Sequence, residues 1–298
     1  MPIQLKGILP ALVTPFTPNG ELDSESLGKL VDHLVKAGVG GILLFDSTAE
    51  AEGLAGNEAL EALRTAVRWA GGRVPVIAAV RRSDPGEARQ FEASGADALL
   101  FAPPRTLPPE SQLNLGPWRD IRRSVSLPLI LDYASPHSGS PADAAAADGL
   151  LASLPDIGFV RVDSAPVGPL VSAIRENSGG RTATFSGLSG RMMTDALDRG
   201  AAGATTLCSL PEPFVSVMRY REHGAQEESV HAFEELLPAL SLITQSPGMV
   251  AACEKVLLVR RGWIASDFRR AASYEPDAKQ RADLFTQLER LEKYFQQS

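Results

Sequence analysis

One rhythm constrains this chain more than anything else in it. Short apolar runs recur eight times, each followed by a longer stretch with helical periodicity. The strand-like runs fall at 7–13, 41–45, 76–80, 98–101, 129–133, 159–163, 183–186 and 204–207. They are apolar throughout rather than alternating, the pattern of strands covered on both faces. The stretch 24–37 reads as a helix with Leu27, Leu30, Val31, Leu34 and Val35 on one face, Asp23 or Ser24 as N-cap and Gly38 as the stop. A second helix is expected over about 57–70. Eight βα units in one chain of 298 residues predict an α/β fold, a closed (β/α)8 TIM barrel, which takes roughly 250 residues. An open doubly wound sheet is the competitor, but no GxGxxG follows the first strand-like run. Three further helical stretches, near 227–244, 249–262 and 277–296, follow without a linker. The expectation is therefore a single domain over 1–298, with the barrel at about 1–225 and a C-terminal helical extension from about 226.

Composition narrows the function classes. A net charge of −7 and the lack of any Lys/Arg run argue against nucleic acid as a partner. The two cysteines, Cys208 and Cys253, lie far apart without metal-ligand spacing, which suits a reducing compartment. No apolar stretch reaches the roughly 20 residues of a membrane helix, and the N-terminus, broken by Pro10 and Pro15, lacks a signal-peptide pattern. The expected setting is cytoplasmic, away from membranes.

The segment Gly7-Ile-Leu-Pro-Ala-Leu-Val-Thr-Pro-Phe16, then Gly20-Glu-Leu-Asp23, resembles the opening of the dihydrodipicolinate synthase / N-acetylneuraminate lyase family. The resemblance continues through Leu34-Val-Lys-Ala-Gly-Val-Gly-Gly41, Gly72-Arg-Val-Pro-Val-Ile77 and Gly95-Ala-Asp-Ala98. Asp132-Tyr133 with Pro136, Ser186-Gly187 and Glu254-Lys255 extend it in the right order. It implies a barrel enzyme of small 2-oxo acids, assembled as a homodimer or homotetramer and working without a cofactor. In that family a lysine on the sixth strand condenses with pyruvate or a similar acid to form an imine, an electron sink that requires a lysine of lowered pKa. The corresponding stretch here is Phe159-Val-Arg-Val-Asp-Ser164. Aligning Asp163-Ser164 puts Val162 at the lysine's place; a slip of one residue puts Arg161 there, and arginine cannot form an imine. The six lysines present, Lys6, Lys29, Lys36, Lys255, Lys279 and Lys293, lie on none of the later strand ends.

Other site residues follow the same resemblance. Asp46-Ser-Thr-Ala-Glu50 stands where the family carries Gly-Thr-Thr-Gly-Glu, so Ser47 and Thr48 are substrate-binding candidates, while Asp46 adds a carboxylate that disfavours an anionic ligand unless paired. Alternatively, Ser47, Thr48 and Glu50 cap the turn and the next helix. Tyr133 matches the proton-relay tyrosine; the competing reading is a strand-end ring that only packs. Ser138 replaces the family's carboxylate-binding arginine, and Arg105, in place of one of a tyrosine pair, is either a new anion contact or an exposed loop residue. Ser186 and Gly187 complete the binding set; Asp46, Glu50, His137 and Val162 are expected to line the pocket. Arg81 and Arg82 replace small residues, and the third helix reads one turn short between Asp84 and Ser94. A metal held by Asp46, Glu50, His137 and Asp163 is the lesser alternative, since no ligand spacing marks it. Three functions remain: an imine-free lyase-like enzyme of a small oxo- or hydroxy-acid, a silent ligand-binding or regulatory relative, and an ordinary imine-forming lyase using an unexpected lysine, of which Lys255 is the least poor candidate.

Overall fold

The computed structural model describes residues 3–47, 50–81, 84–102, 116–134, 149, 152–154, 157–271 and 274–295. Eight strands, β1 (Gly7–Ala11), β2 (Ile42–Leu44), β3 (Val76–Val80), β4 (Ala98–Phe101), β5 (Leu129–Tyr133), β6 (Phe159–Val162), β7 (Ala183–Ser186) and β8 (Gly203–Leu207), close into a barrel in chain order. The rhythm of apolar runs thus reads correctly as a TIM barrel. Every residue of β3, β5 and β8 is buried, which is why these segments carry no polar alternation. The ends of four runs differ by one or two positions from the periodicity, because a strand ends where its neighbour stops offering ladder partners. Asp163, expected inside the sixth strand, lies one residue beyond it, although its N–H still donates to Tyr133 O at 2.9 Å.

The helices are α1 (Ser24–Lys36), α2 (Gly56–Ala70), α3 (Pro85–Ala93), α4 (Gly116–Ser124), α5 (Val167–Asn177), α6 (Met193–Asp198) and α7 (Pro211–Glu222). The C-terminal extension is α8 (Gln226–Ile243), α9 (Pro247–Arg260) and α10 (Ala278–Phe295). By contact density the chain forms two compact units, 1–6 with 77–205 and 7–76 with 206–298. The boundaries at 76/77 and 205/206 fall inside β3 and β8 rather than in linkers.

Within the unit 77–205, β3 to β8 are in continuous parallel register, with Val80 beside Phe101, Phe101 beside Leu131, and Leu131 beside Val160. The α3 helix is short, as its sequence implies: Asp84 caps it by accepting from Gly86 N–H at 2.7 Å, Pro85 opens it, and Ser94 closes it.

Within the unit 7–76 with 206–298, Asp23 is the N-cap of α1, its carboxylate accepting from Ser26 N–H at 2.9 Å. Leu27, Leu30, Val31 and Leu34 are buried along α1, whereas Val35, expected on the same face, is only half-buried. Gly28 allows α1 to approach α2: a Cβ there would sit 2.3 Å from the Trp69 indole.

Candidate functional site

Three strands of the unit 77–205 end side by side. Tyr133, Val162 and Ser186 are the last residues of β5, β6 and β7, and they are register partners, with Ala204 of β8 next in the row. Partners in a ladder point to one face, so a phenol, an isopropyl group and a hydroxyl share a surface at the carboxyl ends of the strands, the end of a parallel barrel where active sites form. All three side chains are buried, Tyr133 at 1% exposure and Val162 and Ser186 at 0%. Among the described residues, the Ser186 hydroxyl has one long contact, of 3.5 Å to Gly187 O.

The two possible registers of the sixth strand are thereby separated. Val162 lies beside Tyr133, and Arg161 lies beside Asp132 on the opposite face. Arg161 Nε and Nη2 each donate to an Asp132 carboxylate oxygen at 2.8 Å, in a pair exposed by no more than 3%. A bidentate, desolvated pair of this kind holds its arginine in place. Arg161 is therefore committed to Asp132 and does not share the Tyr133 face. The sequence analysis did not single out this pair, although its signal is present in adjacent βα units: one charge of each sign in otherwise apolar strands.

Just past the strands, the backbone is drawn tight. Gly187 N–H donates to Val162 O at 2.8 Å, and the Asp163 carboxylate accepts from Leu188 N–H at 2.7 Å. A Cβ on Gly187 would lie 2.6 Å from Asp163 Oδ1 and 2.7 Å from both Asp163 Cα and Val162 O, so only glycine fits. Leu188 and Ser189 then take left-handed φ values of 52° and 56°. The Ser164 hydroxyl, next in the chain after Asp163, is buried at 4% exposure and has no hydrogen-bond partner among the described residues. A buried hydroxyl without a protein partner is costly unless water or another group satisfies it. Sequence reasoning used Ser164 only to align the strand.

Of the remaining predicted residues, Asp46, Ser47, Glu50 and Lys255 lie in the unit 7–76 with 206–298, and Arg81 lies in the unit 77–205. Asp46 is half-buried and Ser47 exposed, both just after β2. Glu50 has a left-handed φ of 54°, and its carboxylate accepts from Lys255 Nζ at 2.5 Å and from Ala271 N–H at 3.4 Å. Lys255 also donates to Phe268 O at 2.8 Å and sits 4.6 Å from the centroid of the Phe16 ring. Burial lowers the pKa of Lys255, and the Glu50 charge opposes that shift. Glu50 makes no helix-capping bond with its side chain; Ala55 N–H, at the start of α2, donates to Glu58 instead, at 2.9 Å. Arg81 is bound at Nε by Glu87, at 2.7 Å. Thr48, Arg82, Arg105, His137 and Ser138 lie outside the described residues. Among the described residues no three His, Cys, Asp or Glu side chains gather as a metal-ligand group. Nor is any single described helix long and apolar enough to cross a membrane.

Parallel strands closed in chain order, with polar groups collected at their carboxyl ends, define a (β/α)8 barrel of the enzyme type. The chain belongs to the dihydrodipicolinate synthetase family, which it matches over residues 4–290. It is 30% identical over 273 residues to 4-hydroxy-tetrahydrodipicolinate synthase of Ruegeria pomeroyi, covering 89% of this chain and 91% of that protein. For the enzyme of the same name from Chelativorans sp., identity is 36% over 137 residues, or 45% of this chain, and the match spans about half (47%) of that relative's length. Among solved structures, the 4-hydroxy-tetrahydrodipicolinate synthase of Methylacidiphilum fumariolicum SolV superimposes with a TM-score of 0.83 at 20% identity, covering 99% of this chain and 98% of that one. Dihydrodipicolinate synthase from Rhodopseudomonas palustris gives a TM-score of 0.84 at 20% identity, covering 96% and 97%. At such identities the superpositions establish the shared fold.

Proposed function

We propose that this protein is a lyase-like member of the family that acts on a small oxo- or hydroxy-acid without a lysine imine. The observation that carries the reading is the row Tyr133–Val162–Ser186, in which an apolar side chain stands next to the phenol at the place the family resemblance gives to the lysine. Val162 offers no nitrogen, and the neighbouring Arg161 is engaged by Asp132 on the other face. Tyr133 is the acid/base, moving a proton to or from a substrate oxygen. Ser186 and Ser164 supply hydroxyls, Gly187 contributes backbone alone, and Ser47 and Thr48 hold the acid group, with Arg105 as its anion anchor. The active form is a homodimer or homotetramer, as the family resemblance implies. Lys255 is a poor nucleophile: Glu50 and Phe268 O occupy its ammonium group. The rival reading, a ligand-binding relative without chemistry, draws on the same loss at Val162.

The test is borohydride reduction in the presence of pyruvate, read by intact mass. The parent chain stays unmodified, while Val162→Lys gains one adduct per chain, mapped to position 162. An adduct on the parent would overturn the proposal, and its peptide would identify the lysine used. Tyr133→Phe then separates enzyme from binding protein across a panel of 2-oxo and 2-hydroxy acids. Loss of turnover by about 10²–10⁴-fold with retained ligand-dependent thermal stabilisation supports the acid/base role. Stabilisation of the parent without turnover of any panel member supports the silent relative.

A further inference from the structure

Asp163 follows β6, and its carboxylate reaches across to the β7 end. Its Oδ1 accepts from Leu188 N–H at 2.7 Å while its own N–H donates to Tyr133 O at 2.9 Å. One residue thus links the ends of β5, β6 and β7. What it holds on the β7 side is an unfavourable turn. Leu188, Ser189 and Gly190 all have positive φ, 52°, 56° and 79°, and the first two carry a Cβ that this region penalises. Such a run persists only where its surroundings over-determine it, and it is a feature of ligand sites. The surroundings here are specific. Gly187 is pressed against Asp163 so closely that no Cβ fits, Gly187 N–H is tied to Val162 O at 2.8 Å, and the next N–H is tied to the Asp163 carboxylate.

We infer that Asp163 is a positioning residue: through Leu188 N–H it clamps the left-handed turn 188–190 and so sets Ser186 and Gly187 against Tyr133 and Val162. The inference deepens the reading above, because it supplies the part that makes the Ser186–Gly187 edge a fixed surface rather than a mobile loop. The group required of Asp163 is a hydrogen-bond acceptor, not a charge or a proton. Asn keeps an acceptor oxygen at that place and Ala does not. Left-handed strain is what the clamp opposes, so glycine at positions 188 and 189 removes the need for it.

The experiment uses the full chain and two readouts: amide hydrogen exchange of segment 187–191, and the dissociation constant for pyruvate as probe. Asp163→Ala is expected to speed exchange in 187–191 at least tenfold, with segments 129–133 and 159–162 unchanged, and to weaken pyruvate binding at least tenfold. Asp163→Asn is expected to stay within about threefold of the parent in both readouts. The triple variant Asp163→Ala/Leu188→Gly/Ser189→Gly is expected to recover most of the pyruvate affinity, which a general loss of stability would not permit. Equal loss in the Asn and Ala variants, or no rescue by the glycines, overturns the positioning role. If the parent binds no pyruvate, the function proposed above fails on that probe, and the exchange data alone decide the clamp. If Asp163→Ala is unfolded, the Asn variant decides by its exchange: protection kept supports the clamp, protection lost removes it.

Discussion

Arg161 and Asp132 show how much one pair of charges decides about this site. Each is flanked by apolar strand residues, and each neutralises the other at 2.8 Å in a desolvated setting. Arg161→Leu alone is expected to cost about 3–5 kcal/mol, because it leaves the Asp132 carboxylate buried without a counter-charge. The double change Asp132→Leu/Arg161→Leu is expected to return to within about 1 kcal/mol of the parent or to exceed it. Urea unfolding of the two variants measures both. The same comparison reports on function: if Arg161 contacts no ligand, a folded double variant keeps the ligand-dependent thermal stabilisation of the parent. Val162 is the counter-example at this scale, an uncharged residue that stands beside the phenol as the register partner of Tyr133.

Packing between α1 and α2 rests on the absence of one methyl group. Gly28→Ala would drive a Cβ into the Trp69 ring, and the variant is expected to lose about 1–3 kcal/mol, partly regained when Trp69→Leu makes room. Chemical denaturation of the single and double variants tests this. The start of α2 carries a second device. Glu58 accepts from Ala55 N–H at 2.9 Å and from both Arg270 Nη groups, at 2.5 and 2.8 Å. The Arg270 hydrogen bonds are the largest cause that lowers the Glu58 pKa from 4.5 to about 2. A depressed carboxylate pKa stabilises the folded chain fully above its unfolded value and loses that contribution as the folded pKa is crossed. Stability from this pair is therefore complete above about pH 4.5 and falls away toward about pH 2. Glu58→Gln is expected to be about 1 kcal/mol less stable at neutral pH, with the difference closing through that acid window. Urea midpoints against pH for the two chains provide the check.

Across the whole molecule, the C-terminal helices make long-range contacts within their own unit. In the unit 7–76 with 206–298, Lys255 of α9 meets Glu50, 205 positions earlier in the chain. Arg270, from the segment after α9, donates to Gly20 O at 2.7 Å and Gly53 O at 3.2 Å. Both cations lie against the Phe16 ring, at 4.6 and 4.4 Å from its centroid. The tail thereby pins the residues after β2, where the resemblance places the acid-binding hydroxyls. Lys255→Met, which strands the Glu50 charge, is expected to lower the thermal midpoint by on the order of 5 °C. Scanning calorimetry measures it, and the variant should still lack any pyruvate adduct under borohydride.

Fold class and family are legible in the order of the residues alone. Eight apolar runs separated by amphipathic stretches admit few other closed structures, and local signals such as Asp23, Asp84 and the run Gly7–Phe16 are legible without neighbours. The sequence also carried the absence of lysine from the sixth strand, since composition needs no geometry. Pairing, by contrast, is fixed by the folded chain. Whether Val162 or Arg161 stands beside Tyr133 is a one-residue question of register, and register is set by hydrogen bonds between strands some thirty residues apart. The same holds for the Asp132–Arg161 and Glu50–Lys255 pairs, the orphaned Ser164 hydroxyl and the left-handed turn after Gly187. Each depends on groups that the folded chain brings together from separate elements, and no local periodicity encodes such a meeting.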